Sequence, residues 1–266
     1  MEENKDMVLT DDLFEKLDDS EKNSEFIAIE SKTFFQDAWG RYKKNKLAMA
    51  GLIFILVMVV LAVLVPMLSK YGFEEQNLTL KNAMPSLDHP FGTDKLGRDI
   101  FVRVMFGGRI SLAIGFSSAL ICLVVGVIYG GISGYVGGRT DMLMMRLVDI
   151  IDSIPTLLYV ILILMIFGNT IPAMMLAICF TAWIGMARQV RQQVRSIKEM
   201  EFSLAATVIG ASHSRILLKH LIVNAIGPII VNLTMLVPSA IFTESYLSFL
   251  GLGVSAPLTS LGSLAN

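Results

Sequence analysis

Apolar residues in this chain come in long unbroken blocks rather than at helical or strand spacing. Leu47 to Leu68 is one such block, about the length that one bilayer crossing needs. Others run from Ile110 to Gly130, from Ile171 to Ala187 and from Leu221 to Phe242. Between the second and the third of these, a helix is expected from Met142 to Phe167. Its first turns carry Arg146, Asp149 and Asp152, it becomes apolar from Ile154, and Pro155 predicts a kink. The pattern therefore predicts an all-α, polytopic membrane helix bundle with spans at about 47–68, 110–130, 142–167, 171–187 and 221–242. A polar loop over 69–109 follows the first span, a Gly-rich turn (Gly134, Gly137, Gly138) the second, and Gly168-Asn169-Thr170 turns the chain between the third and fourth.

Composition agrees with the pattern. With 54% hydrophobic residues, 17% charged residues and a mean hydropathy of +0.63, the chain has too few charges to coat a soluble domain. The net charge of −1 conceals an asymmetry. Residues 1–40 hold twelve acids and four bases, and the remaining chain holds eighteen bases and eleven acids. The division is thus an acidic tail, 1–40, expected to be disordered or to carry a short amphipathic helix, and a basic membrane domain, 41–266. Neither part calls for nucleic acid as a partner. The tail lacks the charged start and apolar run of a secretory signal. Arg41, Lys43, Lys44 and Lys46 precede the first span, and Arg188, Arg191, Arg195, Lys198, Arg215 and Lys219 follow the fourth. Segments 168–170 and 243–266 carry no Lys or Arg. Basic flanks stay on the cytoplasmic side, so the N-terminus and the segment 199–219 are both expected inside. Trp39 and Tyr42 suit the headgroup layer.

Few groups in the blocks can do chemistry. The span centres hold almost no ionisable side chains, whereas ion-coupled carriers bury such groups as relays. His89, His213 and His220 lie outside the blocks or at their edges. Cys122 and Cys179 read as packing residues, and there is no metal motif, catalytic triad or phosphate-binding glycine loop. An ion-coupled secondary carrier and a membrane-embedded enzyme are both disfavoured, and energy for uphill movement must come from another subunit. Ser111, Gly115, Ala119, Cys122, Gly126 and Gly130 recur at steps of three or four, placing small residues along one helical face where another helix can approach closely. Arg146 with Asp149 and Asp152 is expected to form an interfacial ion pair, and Arg188, Arg191 and Arg195 to meet lipid headgroups.

The segment 199–220 stands apart. A short helix should end near Gly210, with Ser212 or Ser214 capping the next one. Phe202 and Leu204 are left exposed, which fits a partner with an apolar cleft. The order Leu204-Ala205-Ala206, three residues, then Gly210 resembles the coupling-loop motif of ABC importer permeases. So do HPFGTDKLGRDIFVRVMFGGRISL (89–112), GYVGGRTDMLMMRLVDIIDSIP (134–155) and LSFLGLGV (247–254). Four motifs in order, over roughly residues 37–266, resemble the permeases of dipeptide, oligopeptide and nickel importers, in particular the longer-tailed second permease of the oligopeptide system. The resemblance implies a type I importer bundle of six helices in a bacterial cell membrane, so a sixth span is expected beyond the five and the sequence reads as truncated at its C-terminal end. Leu204 stands where the family has Glu, and Val223 where a Pro commonly precedes Asn224.

The implied partners are a second homologous permease, two cytoplasmic ATPases, an extracytoplasmic substrate-binding lipoprotein, a peptide substrate and membrane lipid. ATP and Mg belong to the ATPases, so no cofactor is expected on this chain, and the chain itself is not an enzyme. Phe202, Leu204, Ala205, Ala206, Gly210, Ala211 and Arg215 are the implied coupling residues. In the 69–109 loop, Gly92, Thr93, Asp94, Gly97, Arg98 and Asp99 form either a packed turn or a docking surface. The cargo, peptide or nickel or another small solute, is open at this point.

Overall fold

The computed structural model describes residues 33–265; the acidic tail expected over 1–40 therefore lies largely outside them. The chain divides into two compact units at Ile55–Leu56. In the first, α1 (Phe34–Lys44) begins at a reciprocal cap: Thr33 Oγ1 accepts from the Gln36 N–H at 3.4 Å and Gln36 Oε1 from the Thr33 N–H at 3.1 Å. Trp39 and Tyr42 stack at 5.8 Å on this helix, with Lys43 over the Trp39 ring. The apolar block that follows forms α2 (Lys46–Leu68). Past Ile55, Leu56, Val57, Val60, Leu64, Met67 and Leu68 of α2 stand exposed, as expected of a helix whose solvent is lipid.

The second unit is built on α3 (Ile100–Val136) and α6 (Ile171–Lys198), which pack along their lengths. Asp99 caps α3 by accepting the Val102 N–H at 2.8 Å, so residues 100–109, expected in the loop, are helical. After the Gly137-Gly138 turn come α4 (Gly138–Asp152) and α5 (Thr156–Phe167), bent by 78° at Ser153-Ile154-Pro155. The third span is a broken one, because Pro155 cannot donate the hydrogen bond that would continue α4. α6 runs eleven residues past its predicted end, and α7 (Glu201–Val208) follows.

α8 (His213–Leu252) is long and irregular, with π turns at Ile216–Leu221 and Ser248–Leu252 and prolines at 228 and 238. Among the described residues, four helices are individually long and apolar enough to cross a membrane, and the bent α4–α5 pair, counted as one span, makes five. The segment beyond α8 folds back, with the Ser255 N–H donating to Asn169 O at 3.1 Å, and α9 (Leu261–Ala265) packs on α3 and α8.

Two apolar cores result. Ile114, Met174, Ala177, Val160 and Leu247 fill one end of the bundle. Met186, Val190, Val194, Ile216, Leu221 and Ala225 fill the other, beneath α7. The small-residue face of α3 lies between them. Ser111, Gly115, Ala119, Cys122, Gly126 and Gly130 are all buried. A Cβ on Gly115 would meet Ile241 of α8 at 2.7 Å, and one on Gly126 would meet Met186 of α6 at 2.5 Å.

Candidate functional site

α7 carries the features of a docking element. It ends in a left-handed closure: Gly210 has φ 84°, its N–H donates to Thr207 O at 3.0 Å, and the Ala211 N–H donates to Ala206 O at 3.1 Å. The second of these bonds needs the positive φ at residue 210, which glycine adopts without penalty. The helix is thus a rigid eight-residue piece with a fixed exit. Ser203 is buried beneath it, and Ala206 and Ala211 pack on the core under α7. The opposite side is apolar and exposed: Phe202 is 41% accessible, Leu204 55%, Val208 88% and Ile209 85%. Ala205, Gly210 and Arg215 are exposed beside them. Val208 and Ile209 were not singled out from sequence; the signal available was two adjacent β-branched residues just before the helix-ending glycine, next to a polar stretch.

The base of this element is braced. His213 Nδ1 shares a 2.7 Å hydrogen bond with the Tyr135 hydroxyl at the end of α3, and Lys198 Nζ, at the end of α6, donates to Tyr135 O at 2.6 Å. Tyr135 thus ties the ends of α3 and α6 to the first turn of α8, directly after the exit of α7. Ser212 occupies the cap position of α8, but its side chain makes no capping bond.

A charged seam joins α4 to α6 near the same end. Asp141 accepts from Arg191, with one contact at 2.6 Å, and from the Ser133 hydroxyl at 2.5 Å; Arg195 lies 3.6 Å away. Arg188 reaches Asp152 at 2.8 Å and Asp149 at 3.0 Å. Two expectations are corrected here. The partner of Asp149 and Asp152 is Arg188 of α6, not Arg146 of their own helix. Helical side chains lean toward the N-terminus, so a base preceding its acid by three residues points away from it. Of the three arginines expected to meet lipid headgroups, Arg188 and Arg191 are held by carboxylates of α4, whereas Arg195 stays exposed.

The 69–99 loop closes as a packed turn at the start of α3. Asp94 accepts the N–H groups of Leu96 (2.8 Å) and Arg98 (3.0 Å) and the Arg98 Nε–H at 2.7 Å, while Asp99 pairs with the buried His89 at 2.7 Å. Thr93 bridges the turn to Leu80 and Ala83. Glycine is required at 97, because a Cβ there would overlap Asn77 O at 1.8 Å; Gly92 crowds Ala83 O at 2.4 Å. Burial alone would raise the Asp94 carboxyl, but the two backbone N–H groups and the Arg98 guanidinium outweigh it and hold it below the usual aspartate range. The stability this contributes is full above the ordinary aspartate range and is lost as pH falls through the lowered value. Amide exchange at Leu96 and Arg98 should stay slow at pH 5 and accelerate only below the ordinary aspartate range. Acceleration already at pH 5 would contradict this arrangement.

One buried acid escaped the sequence reading. Glu244 was placed outside the fifth span because the apolar block ends at Phe242, yet α8 continues and Glu244 is fully buried. The Ser111 hydroxyl donates to Oε2 at 2.9 Å and the Ser248 hydroxyl to Oε1 at 2.8 Å. The Leu261 N–H donates to Ser111 Oγ at 3.2 Å, so the carboxyl ties α3 and α8 to the returning segment. Its i, i+4 relation to Ser248 was the only signal in the sequence. Glu244→Ala should strand both hydroxyls, costing about 1–3 kcal/mol. Amide exchange at Leu261 should then accelerate about tenfold or more; unchanged exchange would remove this anchoring role.

Long apolar helices packed through small residues, with a short exposed helix on a braced hinge, define a multi-pass membrane subunit of a transport system. The comparisons agree. Residues 126–266 match the model of the binding-protein-dependent transport system inner membrane component, and residues 33–85 match that of the N-terminal transmembrane domain of oligopeptide transport permease C. The chain belongs to this family of ABC importer permeases. It is 50% identical over 248 residues to the dipeptide transport system permease protein DppC of Bacillus subtilis (strain 168), covering 92% of this chain and 78% of that protein. It is 47% identical over 254 residues to the oligopeptide transport system permease protein OppC of the same organism, covering 96% and 83%. OppC of Escherichia coli (strain K12) is 43% identical over 246 residues, covering 92% and 82%.

Proposed function

We propose that this chain forms one half of the translocation pathway of an ATP-driven importer of dipeptides or oligopeptides, beside a second homologous permease. The exposed apolar face of α7 carries this reading. A rigid helix showing Phe202, Leu204, Val208 and Ile209, on a segment flanked by bases, fits a cytoplasmic ATPase cleft better than it fits water or lipid. Two ATPases bind and hydrolyse ATP with Mg; this chain turns their closure into movement of α3, α6 and α8 through the Tyr135–His213 and Lys198 brace. The N-terminus and α7 lie on the cytoplasmic side, in line with the basic flanks of α2 and α6. The packed 69–99 turn and the returning segment then lie on the opposite side, where an extracytoplasmic binding lipoprotein delivers cargo. Peptide as cargo rests on the names of the relatives.

The test is ATP-dependent uptake by proteoliposomes holding this chain, the second permease, both ATPases and the binding protein. Labelled tri-alanine should accumulate and nickel should not. Nickel accumulation without peptide would overturn the cargo reading while leaving the importer reading intact.

A further inference from the structure

Ser118 of α3 is almost completely buried, and its hydroxyl has no hydrogen-bond partner among the described residues. It faces a cavity of about 80 Å³ where α3, α5, α6 and α8 converge. Each of the four helices supplies at least one hydroxyl to the lining: Ser118, Thr156, Thr181, and Ser239 with Thr243. The remaining lining is made of Ala, Val, Ile, Leu and Cys side chains, with no ionisable group other than the Cys122 thiol. Thr156 and Ser239 are exposed, so the polar lining reaches the surface of the chain, whereas Ser118 lies at its closed end.

A buried hydroxyl without a partner is costly, and a cavity of this size has room for several water-sized groups. Hydroxyls donate and accept equally well. A set of them, without charge, matches groups that are themselves polar, neutral and of both kinds. Main-chain amides are such groups. They recur along every peptide whatever its side chains, whereas a charged lining would hold one terminus and delay its release. Thr243 illustrates the mixed capacity: its hydroxyl donates to Ser239 O at 2.9 Å, leaving its lone pairs free to accept.

We propose that this niche is a transit site for the main chain of the cargo, in which Ser118, Thr156, Thr181 and Ser239 exchange hydrogen bonds with N–H and C=O groups of a peptide crossing the membrane. The inference rests on the peptide reading above.

The test uses the complete importer in proteoliposomes, with the binding protein saturated by tri-alanine or by tri-alanine methylated on its central amide nitrogen. The wild type should import the methylated peptide about fivefold more slowly, the worth of one hydrogen bond. Ser118→Ala combined with Thr181→Val should slow tri-alanine import by a similar factor and erase the difference between the peptides. Membrane level should be unchanged, so that slower import does not reflect lost protein. Thr156→Val, at the exposed mouth, supplies a second variant should the buried pair fail to assemble, and it should narrow the difference in the same way. Variants that import tri-alanine at the wild-type rate, or that keep the full difference, would overturn the proposal and leave a cavity that holds water only. A wild type that imports no peptide would instead overturn the cargo reading, and the niche with it.

Discussion

A chain with aspartate in place of both Val208 and Ile209 is expected to reach the membrane at the wild-type level and to transport nothing. The two side chains are 88% and 85% accessible, so the fold takes almost no support from them. A partner's apolar cleft would. Burying a Val or Ile side chain contributes about 1.5–3 kcal/mol, and pressing two carboxylates into the same cleft reverses the sign with a larger magnitude. Uptake should fall at least a hundredfold, and the ATPases should no longer copurify with the permease pair. Ala206→Asp would not test this face, because Ala206 packs on the core beneath α7. Gly210→Pro removes the N–H that reaches Thr207 O and forbids φ 84°; it tests the hinge rather than the contact. Copurified ATPases and normal uptake in the double aspartate variant would place the motor elsewhere.

Gly130→Leu should prevent the bundle from assembling. A Cβ at this position would lie 2.2 Å from Ala187 O and 3.0 Å from the Arg191 nitrogen, both backbone atoms of α6. The far end of a flexible side chain can move aside. A helix backbone moves only as a whole, and α3 and α6 are packed along their lengths. Overpacking a core costs about 1–3 kcal/mol where neighbours can adjust, so this site should reach or exceed the upper end. Separating the helices here also pulls Arg191 from Asp141. Gly185→Leu on α6 is the control, because nothing lies within 4 Å of a Cβ there. The measurement is the amount and thermal stability of solubilised protein: near wild type at 185, largely lost at 130. Equal stability at the two positions would contradict the seam.

Legibility differed by kind of feature. The α3 stripe was readable because its reason is local: residues three and four apart share a face, and small ones permit close approach. Its partners were not, because Met186, Ala187 and Ile241 lie 57 or more residues from the glycines they face. The Gly210 turn was readable from the same local logic. The exposure of Val208 and Ile209 was not, since a β-branched pair after an Ala-rich helix looks the same whether it is buried or bare. Arg146 was offered to Asp149 by spacing and lost to Arg188, whose fork spans both carboxylates from another helix.

Hydropathy and small-residue spacing by themselves determined that this chain is an all-α membrane bundle with a short polar-flanked helix ending near Gly210. Each of those signals is a property of one helix and its solvent. The tertiary structure alone decided that the third span is broken by 78°, that Arg188 and Arg191 serve α4, and that Glu244 is enclosed by serines from α3 and α8. It also decided that five hydroxyls on four helices share one cavity. Those outcomes depend on which helices meet, and that is set by long-range packing that no window of sequence contains.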